Sequence, residues 1–85
     1  MVLTPMQSEQ AAQIQTIIRE TAAKHNISPE YLIGHCRRAG VAWARFEIMW
    51  RARHEIGASY ELIGAVLGGR NHSTIMHGVA RYENR

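Results

Sequence analysis

Gly68-Gly69-Arg70-Asn71-His72-Ser73-Thr74-Ile75-Met76-His77 is the stretch on which the reading of this 85-residue chain turns. A glycine pair stands directly before a run of hydrogen-bonding side chains that opens a helix. Ile75, Val79 and Tyr82 then recur at helical spacing and predict an inward face as far as Tyr82. Upstream, Ser59 is a helix cap with Glu61 in the first turn, and Leu62, Ile63, Val66 and Leu67 supply the apolar contacts of a preceding helix. Gly64 allows a neighbouring helix to approach closely. Two helices joined by a short glycine-containing turn predict a helix-turn-helix.

Three further helices are expected towards the N-terminus. Thr4-Pro5-Met6-Gln7 is a capping box with proline at the first helical position. Ala11, Ile14, Ile18, Thr21 and Ala22 fall on one face, and the helix ends near His25-Asn26. Ser28-Pro29-Glu30 starts a short second helix carrying Tyr31, Leu32 and Ile33 inward. Arg37-Arg38-Ala39-Gly40 reads as a basic turn. A third helix is expected from about Val41 to Glu55, with Ala42, Phe46, Met49 and Trp50 as its apolar stripe and Gly57 closing it. The fold class is therefore all-α, a compact bundle of about five helices over residues 1–85 as a single domain.

Composition agrees: hydrophobic residues make up 46% and charged residues 20%, as in a globular domain. No run of about 18 apolar residues suggests a membrane span, and no signal-peptide pattern opens the chain, so a cytoplasmic location is expected. The lone Cys36 has no internal disulfide partner. The net charge of +3 is unevenly spread. Arg37, Arg38, Arg45, Arg51 and Arg53 face only Glu47 between residues 35 and 54, whereas the flanking segments are near balance. Arginine suits bidentate contacts to phosphate and guanine. A solvated basic helix face would show the same excess.

The opening stretch resembles the signature of the C-terminal DNA-binding domain of the bacterial replication initiator DnaA. There a Gly-Gly-Arg-Asp-His-Thr-Thr-Val-Leu-His pattern opens the recognition helix. The two agree at Gly68, Gly69, Arg70, His72, Thr74 and His77 and, upstream, at Gly64. They differ at Asn71, Ser73, Ile75 and Met76. The similarity extends from roughly Ile14 to Val79 and includes Arg37-Arg38 and the Val41-to-Met49 segment with Arg45. It implies a Trp-repressor-like helix-turn-helix that binds double-stranded DNA, serving origin recognition or transcription regulation in a bacterium or phage.

The same resemblance assigns roles. Asn71 stands where the family has a base-reading aspartate, and His72, Ser73, Thr74 and His77 extend that side. Asn suits adenine where an acidic acceptor suits cytosine; it is also an excellent N-cap. His77 could equally be a packed histidine. Arg70 and Arg45 become phosphate contacts. Arg38, with Arg37, resembles the basic-loop arginine of the adjacent minor groove, in a loop one residue shorter than the family's. No phosphate-binding G-x-x-x-x-G-K-[ST] motif occurs, so ATP-driven origin melting is not expected and the chain reads as either an excised domain or a stand-alone protein; the start at Met1 and the family-length domain without a hinge helix lean slightly towards the latter.

Other chemistries have little support. The five histidines lack metal-ligand spacing, with His72 and His77 five apart, so no metal site and no cofactor are expected. Cys36 has no partnered base, and no carboxylate pair suggests catalysis, so the chain is not expected to be an enzyme. Trp43 and Trp50 share a face of the third helix that could be core or a surface for a protein partner. An adaptor using that face is the alternative to DNA binding.

Overall fold

Thr4 begins the first helix by accepting a hydrogen bond from Gln7 N, while the Gln7 side chain accepts one from Thr4 N at 2.9 Å. In the computed structural model, which describes residues 2–85, this capping box opens α1, Pro5–His25. Asn26 ends it in the left-handed conformation, φ 54°. After it come α2, Pro29–Ile33; α3, Ala39–Arg51; α4, Tyr60–Val66; and α5, His72–Glu83. A π-helical turn, Ala52–Ile56, continues α3, and Gly57, φ 75°, stops it. The fold is all-helical, as the sequence predicts, and the described residues include no strand.

The α3 helix packs against α1 on one side and α5 on another. Ile14, Ile18, Ile48, Leu62, Ile63 and Ile75 are almost completely buried between the helices. Each such side chain contributes about 1.5–3 kcal/mol by leaving water. The buried stripe of α3 is Val41, Ala44, Ile48, Met49 and Ala52. Of the expected stripe, only Met49 is fully buried; Ala42, Phe46 and Trp50 lie at its edge. A helix packed on two sides has no single inward face. Its approach to α5 is close at Gly78, where a Cβ would strike the Met49 sulfur.

Two further expectations are corrected. Tyr31 is 55% exposed and Ile33 38% exposed, and only Leu32 of α2 is buried. Consecutive helical residues are about 100° apart, so one turn cannot turn three of them inward. The third helix starts at Ala39, two residues before Val41, which places Gly40 inside it.

Ser59 caps α4 through a hydrogen bond from Leu62 N at 3.1 Å. Gly68 and Gly69, φ 81° and 77°, form the turn to α5. The backbone crowding Gly64 comes from this turn and not from a neighbouring helix. Arg70 N donates to Gly64 O at 2.8 Å, and a Cβ on Gly64 would collide with the Arg70 carbonyl. The helix-turn-helix is thus locked from inside its own turn.

Candidate nucleic-acid interface

Asn71 caps α5: its side-chain oxygen accepts from Ser73 N at 2.8 Å. That bond leaves the amide NH2 as an outward donor, and the oxygen keeps a second lone pair. Asn71, His72, Ser73, Thr74 and His77 are all exposed, so the packed alternative for His77 does not hold. Ile75, Gly78 and Val79 form the opposite, buried face. The helix therefore presents a polar first turn at its positive end while its far side is anchored in the core.

The loop between α2 and α3 lies next to this turn. His35, Cys36, Arg37, Ala42, Arg45, Arg70 and Thr74 line one open groove. Arg37 and Arg38 are exposed and, among the described residues, make no side-chain hydrogen bond or ion pair. Arg38 occupies the N-cap position of α3 without a side-chain capping bond.

Arg45 is placed differently from its expected phosphate role. Its guanidinium is buried and donates to four carbonyls: Leu32 at 2.9 Å, Cys36 at 2.7 Å, Tyr31 at 2.6 Å and Gly34 at 3.0 Å. Four of the five guanidinium N–H groups are thereby used. The carbonyls left open at the end of α2 find their donors here. Burial pushes the Arg45 pKa down, with a smaller opposing influence from Cys36.

Arg70 is half-buried and reaches the same loop from the other side. It donates through Nη1 to Ile33 O at 3.0 Å and to Leu67 O, and through Nη2 to Gly34 O. Burial, and then the charge of Arg45, lower its pKa. Gly68 completes the contact, since a Cβ there would meet the Ile33 carbonyl.

The remaining arginines of the basic segment are engaged within the chain. Arg51 binds Glu20 at 3.1 Å and Glu55 at 3.0 Å. Arg53 donates to Ala58 O at 3.1 Å and stacks over Tyr60. Trp43 makes an edge contact with Phe46 and lies under Arg81, while Trp50 stacks against His54 and Tyr82. Among the described residues, no three His, Cys, Asp or Glu side chains converge as a metal site.

Two residues of the site escaped the sequence reading. Met76 is 48% exposed on α5, one turn beyond His72. The i, i+4 spacing from His72 was its available signal. His35 joins the groove only because the loop folds back towards Thr74, which no local pattern announces.

Comparison with known proteins decides the family. Residues 14–81 match the bacterial dnaA protein helix-turn-helix. The chain belongs to the bacterial DnaA helix-turn-helix family. It is 39% identical over 62 residues to the chromosomal replication initiator protein DnaA of Herpetosiphon aurantiacus, a match covering 73% of this chain and 13% of that protein. To the DnaA of Cereibacter sphaeroides it is 37% identical over 76 residues, covering 89% of this chain and 17% of the relative. The Nostoc punctiforme DnaA gives 32% over 76 residues, with coverage of 89% and 17%. The chain thus spans less than a fifth of the length of these curated DnaA relatives. No solved structure matches it.

Proposed function

We propose that this chain binds double-stranded DNA sequence-specifically, in replication-origin recognition or transcription control. The α5 helix enters the major groove, and the Arg37-Arg38 loop follows the adjacent minor groove. One observation carries this reading: exposed Thr74 in the first turn of α5 and unengaged Arg37 of the preceding loop line a single groove on a DnaA-type helix-turn-helix, with the equally unengaged Arg38 next in the chain. Asn71, His72, Ser73, Thr74 and His77 offer donors and acceptors to base edges. Met76 offers an apolar contact to a thymine methyl. Arg37 and Arg38 meet phosphate and the negative potential of a narrow minor groove. On this reading the chain does no catalysis itself.

The test is binding to duplex DNA at rising salt. Each neutralised phosphate steepens the fall of log affinity with log salt by about 0.9. Two to three contacts give an expected slope of about −2 to −3. A selection of bound duplexes from a random pool should return one preferred motif. Absence of duplex binding at low salt, or a pool that stays random, overturns the reading.

A further inference from the structure

Arg70 links two parts of the molecule that are far apart in sequence. It stands in the turn leading into α5, yet two of its hydrogen bonds end on Ile33 and Gly34, at the start of the loop that carries Arg37 and Arg38. Its third, to Leu67 O, holds the guanidinium against its own turn. The Gly34 carbonyl is shared with Arg45. Arg45 fastens the loop to α3, and Arg70 fastens the same loop to the helix-turn-helix. Close contact at Gly68 leaves no space between the turn and Ile33.

We propose that Arg70 is a positioning residue that sets the register between the Arg37-Arg38 loop and α5, so that the two engage neighbouring grooves of one duplex together. The inference rests on the DNA-binding reading above and deepens it. A phosphate contact by Arg70 would be an independent attraction. A brace makes the contribution of the loop depend on Arg70, although Arg38 does not touch it. Planar geometry matters to this role, because a guanidinium bonds several carbonyls at once whereas an ammonium is a single compact charge.

The experiment is a double-mutant cycle on duplex binding, with circular dichroism as the check on folding. Arg38→Ala, Arg70→Ala, Arg70→Lys and the two double variants are titrated with the preferred duplex over a salt series. Arg38→Ala alone should weaken binding by about ten-fold. In either Arg70 background the same change should cost less than about three-fold, because the loop has already lost its register. The salt slope of Arg70→Lys should be shallower than that of the wild type, because the loop arginines no longer reach the duplex although the charge at position 70 is kept. Arg70→Lys should also fail to restore the coupling to Arg38.

Additive losses, or full rescue by lysine, would reduce Arg70 to a phosphate contact and overturn the proposal. Should Arg70→Ala fail to fold, the cycle built on Arg70→Lys decides alone. Should neither Arg70 variant fold, the residue is a stability element and the positioning role falls. A wild-type chain that binds no duplex fails at the earlier step and removes the DNA-binding reading itself.

Discussion

Arg45 and Arg38 lie seven residues apart in the same basic segment, yet they occupy opposite kinds of environment. Arg45 is buried under four carbonyls, while Arg38 is exposed and unengaged among the described residues. Arg70 and Arg37 repeat the contrast across the groove. The difference teaches that positive charge near a binding face can serve two ends. One arginine of each pair shapes the backbone, and the other remains available to a ligand. A loop rich in unsatisfied carbonyls needs donors before it can hold its own arginines outward. The short α2 ends without any basic residue of its own in the last turn, so the donors come from α3 and from the turn before α5.

The sharpest way to break this contrast is to truncate the buried member. Arg45→Ala removes four hydrogen bonds and strands their carbonyls in a packed loop. Each buried carbonyl left without its donor costs about 1–3 kcal/mol, so the loss should be about 3 kcal/mol or more. A domain of this size has only about 5–10 kcal/mol to lose. Urea unfolding should therefore show a greatly reduced midpoint. Arg37→Ala should stay within about 0.5 kcal/mol of wild type in the same measurement. Equal effects of the two substitutions would erase the distinction between them.

A second substitution tests the exposed side of the comparison. Asn71 caps α5 and also faces outward, so capping and reading coincide in one side chain. Asp caps about as well as Asn, so Asn71→Asp should leave stability nearly unchanged. The ionised carboxylate can only accept, whereas the amide also donates. Preference at one position should move from purine acceptor edges towards cytosine, by about 1–3 kcal/mol. Duplex selections with both proteins read this directly. Identical selected motifs and equal affinities would leave Asn71 as a cap alone.

These contrasts also mark where sequence was informative. The caps at Thr4, Ser59 and Asn71 and the stops at Asn26 and Gly57 are local, and side chain and backbone agree within one turn. The five-helix order follows from them. The stripe of α3 and its π-helical extension was not legible, because small Ala44 and Ala52 are fully buried while the larger Phe46 and Trp50 are only partly so. The π-helical turn after Arg51 has no signature in composition. For the candidate site, the residues of α5 came from the resemblance to the DnaA signature; the apolar spacing agreed with an outward face for them but left His77 open. The different fates of Arg38 and Arg45 were not legible, since both are arginines of one basic segment. Only the path of the carbonyls from Tyr31 to Cys36 separates them, and that path is a tertiary fact.

The smallest expected effect lies on the far side of α3, where the charge is of the other sign. Glu47 is buried, and its carboxylate receives Lys24 at 3.1 Å and His25 at 3.1 Å from the end of α1. It is the acidic counterpart of Arg45, a buried charge joining two elements, but its partners Lys24 and His25 are far more exposed than it is. Burial raises the Glu47 pKa, yet the hydrogen bonds from His25 and Lys24 and their charges outweigh it, so the carboxyl stays below its ordinary range. A lowered folded-state pKa means that ionised Glu47 adds stability above the unfolded value of about 4.3. That contribution is lost as pH falls through the folded value. Glu47→Gln should cost roughly 1 kcal/mol near neutral pH, the lower end for hydrogen bonds to a charged group because solvent screens the partners. The gap between variant and wild type should close progressively below about pH 4.3. Thermal or urea unfolding from pH 7 down to pH 3 measures both parts. A gap that persists undiminished in acid would assign the loss to packing of the side chain, and the charge at this position would then differ from that of Arg45 in having no structural part.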